Sequence, residues 1–416
     1  MHHPHPPFRH ARPGRAPALV LAGTLVLSGC SLVDSGGAGT ELVIGVDIPL
    51  TSKFSAPAQG IRNSVEMAVA KANAKNLVPG VRFVLDVRDD SAEPKTAKAH
   101  AEAFAARPNV IGVVGPYNSA VALEMTPVLA NAGIVNISPA NTLPALTFGQ
   151  DYLTKGKKRP YPTYFRTVTT DAVQGPYVAR YALKKMKLDT VAVIDDSKAY
   201  GIGLADQMAG EFERGGGKVL MRESVPAGTT DFGALVQKIK TTKPKLVFFG
   251  GESTEAGPLS SQLKAAGVKV PVAGGDGVHK ADYPGLAGGP QADGDLASSD
   301  GVAIDDLPSA YNFLEAYRAG KYTEPPGTFG PYGYDSVWAL MLAVGKVVQD
   351  NKGKVPTGDL RAKVAKAVQD TSFFGVTGDV AFDEFGDSSN QIVSLYQVRN
   401  GKWETVVSSG KLNQLN

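Results

Sequence analysis

The 416-residue chain contains a single cysteine, and this scarcity excludes several classes of protein. One thiol cannot form an intramolecular disulfide framework, and it cannot supply a zinc or iron–sulfur site that needs several cysteines. Histidine is scarce as well, because four of the six histidines lie within the first ten residues and only His100 and His279 follow. A metal site built from several histidines is therefore excluded from the body of the chain.

The body of the chain also lacks net charge. The sequence has 43 Lys and Arg against 40 Asp and Glu, and Arg9, Arg12 and Arg15 account for the excess in a segment without acids. Binding to nucleic acid needs a concentrated basic surface, so we expect no nucleic-acid partner. Apolar residues make up 43% and charged residues 20%, which is ordinary globular usage, and the length suggests two or three domains.

Long apolar runs are missing apart from a short one near the N-terminus. Residues 16–27 are apolar over 12 positions, whereas a membrane-spanning helix needs about 20. This run follows a basic stretch and ends in Leu27-Ser28-Gly29-Cys30, with small residues before a cleavage point. We expect residues 1–29 to be a removable export signal, residues 30–40 to be a flexible Gly/Ser tether, and the remainder to be soluble and outside the cytoplasm.

Cys30 allows two interpretations. The segment resembles a bacterial lipoprotein signal with its lipobox, which implies that Cys30 is the lipidated first residue of the mature chain. The protein would then be anchored to the outer face of the cell membrane. The alternative is an ordinary secretory signal in which the cysteine occurs by chance.

From residue 41 onward, the apolar pattern alternates between strands and helices. The predicted strands cover 41–50, 81–87, 110–115, 134–138, 164–168, 190–194, 218–225, 245–250, 270–273 and 301–304. Strands that alternate with helices need crossover connections, so the sheets should be mainly parallel and covered on both faces. Two successive sets predict an α/β fold of two doubly wound, Rossmann-like lobes around a central cleft.

The remaining segments are too poor in strands to form a third domain. We predict that 41–165 and 281–372 build the first lobe and that 166–280 and 373–416 build the second. The chain would then pass between the lobes through a hinge more than once. The last part reads as short antiparallel strands with a turn at Asn400-Gly401.

Polar residues follow two strands of the first set. Asn118 and Ser119 come after the strand at 110–115, and Ala140 and Thr142 come after the strand at 134–138. Ligands of such sheets bind beyond the carboxyl ends of the strands. Hydroxyls and backbone N–H groups at helix starts suit a carboxylate. The alternative is that Asn118, Ser119 or Thr142 only caps a helix.

Acidic and aromatic residues follow the strands of the second set. They include Tyr200, Glu252 and Asp276, the last of which lies among glycines. Asp276 is predicted to approach a ligand ammonium closely, although a turn aspartate that bonds its own backbone is the alternative. Motifs of an enzyme are missing: the sequence has no G-x-S-x-G elbow and no P-loop, and Gly201-Ile202-Gly203 is half of a dinucleotide fingerprint.

Several stretches occur in the order and spacing of a known family. They are VIGVVGPYNS, IVNISPANT, DDSKAYG, FFGGESTE and VAGGDGV, followed by the closing Phe374–Gly378 and Phe382-Asp383 segments. Over about residues 41–407, the chain resembles ABC-transporter substrate-binding proteins of the leucine/isoleucine/valine-binding type, which have the type I periplasmic-binding fold. No single motif is diagnostic, whereas the ordered set is.

This resemblance implies a non-enzymatic solute-binding protein without a cofactor or metal. The protein would capture an amino acid of branched-chain or polar/amide type by hinge closure and deliver it to a membrane permease and its ATPase. By resemblance, Ser119 and Thr142 would bind the ligand carboxylate, assisted by the backbone of Asn118 and Ala140.

The second lobe would supply the remaining contacts. By resemblance, Asp276 would pair with the ligand ammonium and Tyr200 would stack on the ligand or bond to it. Glu252 stands where leucine-binding relatives often have an aromatic residue, which favours a polar or amide-bearing amino acid over an aliphatic one. The alternatives are a sensor of the same fold that is not coupled to transport, and a binder of amide-like, urea-like or other small solutes.

Overall fold

The computed structural model describes residues 39–415, apart from the side chain of Asp305. The expected signal at 1–29, Cys30 and nearly all of the tether lie outside the described residues. Within the described part of the chain, no helix is long and apolar enough to cross a membrane.

The first lobe contains a five-stranded sheet in which every strand pairs in parallel. The strand order is β2-β1-β3-β4-β5. In chain order, its elements are β1 (Thr40–Ile48), α1 (Ser55–Ala74), β2 (Val81–Asp89), α2 (Pro94–Ala105), β3 (Val110–Val114), α3 (Ser119–Asn131), β4 (Val135–Ser138), α4 (Ala145–Phe148), α5 (Tyr152–Lys155) and β5 (Tyr164–Arg166).

The second lobe contains a seven-stranded sheet. Its elements begin with α6 (Asp171–Lys184), β6 (Thr190–Asp195), α7 (Ala199–Arg214), β7 (Lys218–Ser224), α8 (Gly233–Thr242), β8 (Leu246–Gly250), α9 (Ser253–Ala265), β9 (Val272–Gly274), α10 (Tyr283–Leu286) and β10 (Leu296–Asp300). The chain then continues through α11 (Tyr311–Ala319), α12 (Gly330–Asp350), α13 (Leu360–Gln369), β11 (Ser372–Gly375), β12 (Gly378–Ala381), β13 (Val393–Arg399) and β14 (Lys402–Gly410).

The two sheets share one topology. The parallel part of the second sheet runs β7-β6-β8-β9-β10, which repeats the order of the first, and β13 and β14 extend it in antiparallel pairing. The predicted α/β architecture of two doubly wound lobes is confirmed by this order. The predicted turn at Asn400-Gly401 joins β13 to β14, and both residues have positive φ (51° and 70°) as a tight two-residue hairpin requires.

Each sheet is covered by helices on both faces because its central strands, such as β3, β6 and β8, are buried on both sides. In the first lobe, the stripe Ile61, Val65 and Ala72 of α1 is buried against one face together with α12. Phe104 of α2 and Met125 of α3 cover the other face. The second lobe repeats this with α6 and α7 on one face and α8 and α9 on the other.

Two details of the predicted organisation are wrong. The strand predicted at 301–304 lies earlier, as β10, and pairs with β9 in the second sheet, so the second lobe continues beyond residue 280. Val376 and Phe382 pack in the first core, so the change of lobe predicted at 373 falls later in the chain. In both cases the partner across the sheet or core, rather than the local pattern, decides the lobe.

Candidate functional site

Two contacts join loops that follow strands of different lobes. Lys53, after β1, places its Nζ 3.1 Å from both Thr254 Oγ1 and Glu255 Oε1, after β8. Lys280, after β9, places its Nζ 3.3 Å from the hydroxyl of Tyr117, after β3. Because these loops follow the carboxyl ends of parallel strands, the two sheets face each other across a cleft at the edge where ligands of such sheets bind.

The first-lobe side of the cleft includes the loop between β3 and α3. Gly115 has φ of 122°, and a Cβ there would collide with the main-chain oxygen of Asp47, so only glycine allows this close approach. Ser119 is the first residue of α3 and is 4% exposed. Asn118 makes no side-chain cap hydrogen bond, and its Oδ1 is buried without a partner among the described residues. Capping by Asn118, the alternative interpretation, is therefore not what the structure shows.

The loop after β4 carries Ala140 and Thr142, both of which are buried. The N–H of Ala140 donates a long, 3.3 Å hydrogen bond to Ser138 Oγ, so this backbone donor is only weakly held. Thr142 lies against the Asp171 carboxyl at the start of α6. The Asp171 N–H donates to the Thr142 carbonyl over 3.0 Å, which fixes the loop to the second lobe's first helix.

On the second-lobe side, Asp276 is the centre of a hydrogen-bond network. Its Oδ1 accepts from the hydroxyl of Tyr200 at 2.9 Å and from Nε2 of Gln174 at 3.0 Å. Ser298 Oγ in turn donates to Gln174 Oε1 at 2.9 Å. Both bonds that the structure shows at this carboxylate end on Oδ1, and no described residue donates a hydrogen bond to Oδ2. Asp276 is thus held by other side chains and is not the self-bonded turn aspartate of the alternative interpretation.

Two further carboxyls surround Asp276. Burial, and then the charge of Asp276, raise the pKa of Asp171 well above its usual range, with Thr142 and Arg166 opposing the shift. Burial and the charges of Asp276 and Asp171 likewise raise the pKa of Asp300 at the end of β10. Three carboxyls therefore lie close together at this end of the cleft. Within residues 39–415, no group of three acidic, histidine or cysteine side chains is placed to hold a metal ion.

Glu252 occupies the N-cap position of α9 without a side-chain cap bond, and it lines a cavity of about 560 Å³ between the lobes. Burial raises the pKa of Glu252 to about 7, with Lys280 opposing the shift and Asp276 adding to it. Aromatic side chains from both lobes line the same cavity: Phe54, Phe329 and Trp403. A volume of this size is ordinary for a small-molecule site.

Sequence reasoning missed Lys280, Tyr117 and these aromatic side chains. Tyr117 packs against Phe54 and Phe329 with ring centroids 5.5 and 5.4 Å apart, and Lys280 Nζ lies 5.0 Å from the centre of the Phe329 ring. Tyr117 lies inside the quoted VIGVVGPYNS motif, so its place in the sequence was a usable signal. A lysine four residues after Asp276 carries no such signal, because most lysines are solvated.

The structure brings part of the predicted site together. Tyr200 and Asp276 are hydrogen-bonded, and Glu252 and Asp276 are near enough to affect the pKa of Tyr117 across the cleft, although burial is the main cause of its rise to about 12. Within the described residues, no hydrogen bond joins Ser119 or Thr142 to Tyr200, Glu252 or Asp276. The two halves of the predicted site thus face each other without direct bonding.

Comparison with known proteins identifies the family. The family model described as "Periplasmic binding protein" matches residues 41–402. The chain belongs to the periplasmic binding protein family. The predicted resemblance and fold are confirmed by this match.

Periplasmic binding proteins similar to this chain include two curated relatives. "Leu/Ile/Val-binding protein homolog 3" of Brucella melitensis biotype 1 is 31% identical over 374 residues, covering 88% of this chain and 94% of the relative. "Leu/Ile/Val-binding protein BraC3" of Rhizobium johnstonii is 30% identical over 390 residues, covering 92% and 97%. The branched-chain amino acid transporter substrate-binding protein LivJ of Streptococcus pneumoniae, solved with isoleucine, matches with a TM-score of 0.74 and 26% identity, covering 89% of this chain and 100% of LivJ.

Proposed function

We propose that this periplasmic binding protein is the solute-binding component of an ABC importer and that it captures an amino acid between its two lobes. The relatives named for leucine, isoleucine and valine binding, and the isoleucine complex of LivJ, support an amino acid as ligand. The captured ligand would be delivered to a membrane permease and its ATPase. Within the described residues, no feature favours the alternative of a sensor of the same fold that is not coupled to transport.

The observation that carries the proposal is the Asp276 network opposite the two loops of the first lobe. We propose that Ser119 and Thr142, with the backbone of Asn118 and Ala140, hold the ligand carboxylate. Asp276 Oδ2 would accept from the ligand ammonium, while Tyr200 holds Oδ1 in place. A hydrogen bond between ionised partners is about twice as strong as a neutral one.

Hinge closure would complete the site. The ligand would bind one lobe and bridge to the other, because each lobe supplies one half of the contacts to carboxylate and ammonium. Contacts that exist only in the closed form shift the balance from open to closed. The closed form would then be the one that a permease recognises.

The test is a calorimetric titration of the purified protein with a panel of amino acids, repeated with Asp276→Asn. Asparagine keeps an oxygen for Tyr200 and Gln174 but removes the charge that the ammonium needs. We expect affinity to fall about 5- to 150-fold, or about 1–3 kcal/mol. Asp189→Asn, a change of the same kind at an exposed position, is the control and should leave affinity unchanged. Equal affinity of Asp276→Asn and the unaltered protein would remove Asp276 from the site.

The lipid anchor at Cys30 is a separate part of the proposal. It rests on the lipobox pattern of residues 27–30 and on the absence of any other cysteine in the sequence. Expressed in a lipoprotein-processing bacterium, the protein is expected in the membrane fraction, and Cys30→Ala is expected to release it with unchanged ligand affinity. Recovery of unaltered, unlipidated protein in the soluble fraction would favour the ordinary secretory signal.

A further inference from the structure

Four charged residues line the cavity between the lobes: Lys53, Glu252, Lys280 and Asp282. Glu252 lies at the N-cap of α9 and Lys280 follows β9, and both line the cavity of about 560 Å³. The rest of the wall is largely apolar, with Phe54, Phe329 and Trp403 contributing rings. Lys53 is bonded to Glu255, and Asp282 is exposed to solvent. A side chain that enters this space therefore meets an aromatic wall with Glu252 as acceptor and Lys280 as donor.

The Lys280 side chain has more hydrogen-bond donors than acceptors around it. Its ammonium carries three N–H donors, and the described chain offers it only the Tyr117 hydroxyl at 3.3 Å and the face of the Phe329 ring. No carboxylate of residues 39–415 lies within 4.0 Å of this ammonium. Its backbone is fixed, because its N–H donates to the Val278 carbonyl at 2.7 Å and its carbonyl accepts from Trp403 Nε1 at 2.9 Å.

Glu252 is an acceptor without a donor. Its carboxylate makes no hydrogen bond and no ion pair with the described residues, although its backbone carbonyl accepts from Ala256 at 3.0 Å in the first turn of α9. The nearby Lys53 is engaged by Glu255 instead. The charges of Glu252 and Lys280 are near enough to shift each other's pKa, but the two side chains form no ion pair. A ligand group can therefore lie between them.

This pair discriminates among the ends of ligand side chains. A ligand carboxylate is attracted by Lys280 but repelled by Glu252. A ligand ammonium or guanidinium is attracted by Glu252 but repelled by Lys280. An aliphatic end would desolvate both charges and satisfy neither. A neutral carboxamide satisfies both, because its oxygen accepts from Lys280 while its N–H2 donates to Glu252.

We propose that the ligand is an amino acid whose side chain ends in a neutral carboxamide or ureido group, held between Glu252 and Lys280. This rests on the proposed function, in which Ser119, Thr142 and Asp276 hold the carboxylate and ammonium of the same molecule. Lys280 is then a specificity-determining residue of the cleft.

The test is calorimetric titration with glutamine, asparagine, citrulline, glutamate, lysine and leucine. The unaltered protein is expected to bind at least one of the three neutral polar ligands at least tenfold more tightly than leucine. Glu252→Gln removes the repulsion of acids and should strengthen glutamate binding at least tenfold. Lys280→Met should do the same for lysine, because the acceptor then stands alone. These gains cannot come from a variant that fails to fold.

The matched controls are Glu404→Gln and Lys402→Met, the same substitutions at exposed positions of β14. They should leave the order of ligands unchanged. If leucine binds best and neither cleft variant alters the order, the carboxamide inference is wrong and the amino-acid proposal stands. If no amino acid binds, both fail.

The pH dependence gives an independent readout. Glu252 must be ionised to accept from the carboxamide, and its pKa near 7 in the free protein means that a proton has to leave at lower pH. Affinity for the carboxamide ligand is expected to fall up to tenfold per pH unit below about 7, and Glu252→Gln should abolish this slope. The groups that face Glu252 and remain in that variant are Lys280, Asp276, Lys53, Asp196, Tyr117 and Tyr200, together with His279 and Asp282 on the cavity wall. A slope that survives in Glu252→Gln would assign the proton to one of them and overturn this role of Glu252.

Discussion

Arg166 shows at the scale of single residues how a buried charge positions a binding loop. Its side chain is fully buried and its Nε donates to Asp387 Oδ1 at 2.7 Å. The two terminal nitrogens donate to the carbonyls of Asn141 and Leu143 at 2.9 and 3.0 Å. Because these carbonyls flank Thr142, the guanidinium fixes the loop that we propose for the ligand carboxylate.

Removing the charge of Asp387 is expected to destabilise both the fold and the site. Asp387→Asn leaves Arg166 as a buried cation without its anion, which costs about 3–5 kcal/mol in comparable cases. Urea unfolding measures this loss. Asp151→Asn, which breaks an exposed pair with Lys155, is the control and should cost no more than about 1 kcal/mol. Similar losses in the two variants would mean that the buried pair is not critical.

At the scale of elements, the sequence pattern located most strands to within a few residues, and the main exception has an identifiable cause. The strand β10 has the sequence LASSD. Its Ser298 is buried, and its hydroxyl donates a hydrogen bond to Gln174 of α6. A buried strand with polar residues lacks the apolar signal on which strand prediction depends. The strand was therefore predicted at 301–304, in the more apolar residues that follow β10.

Helix α7 starts at Ala199, and this places Tyr200 inside its first turn. Gly201 and Gly203 argue against helix by their low propensity. In the structure, a Cβ on Gly201 would collide with the Asp196 carboxylate and the Gly250 carbonyl. The glycine is present for close packing of helix on strand, a reason that only the tertiary structure reveals.

The candidate site was also only partly predictable, because local sequence patterns do not reveal contacts between distant residues. Asp276 and Tyr200 were found because they follow strands, and strand ends are where such sheets bind ligands. The pairing of Lys280 with Tyr117 joins residues 163 positions apart, and the place of Trp403 on the cavity wall depends on β14 closing over β13. No local pattern encodes contacts of that range.

At the scale of the whole molecule, the bond between Lys53 and Glu255 joins the two lobes. Glu255 is 1% exposed at its side chain, and its Oε1 also accepts from the Gly228 N–H at 2.9 Å. The Gly228 N–H therefore holds the Glu255 carboxylate in place independently of Lys53. The pair would form only in the closed form, so it should contribute to closure.

Lys53→Met is expected to weaken ligand binding about 1.4- to 5-fold, since a partly exposed ion pair contributes about 0.2–1 kcal/mol. Titration calorimetry measures the affinity, and small-angle scattering of the liganded protein should show a larger share of the open form. Lys75→Met, at an exposed position after α1, is the control. Unchanged affinity and scattering would show that closure does not depend on this pair.

The crossing of the chain between lobes has a consequence for biosynthesis. The partner of α1 in the first core is α12, made some 260 residues later, and β10 is covered at the sheet edge only when β13 has been made. Neither lobe can complete its core until the ribosome has nearly finished the chain, because α12 packs in the first core and β13 packs in the second. Contacts this distant in sequence delay folding. Late completion of both cores would keep the chain extended during synthesis, which is the form that the export expected from residues 1–29 would require.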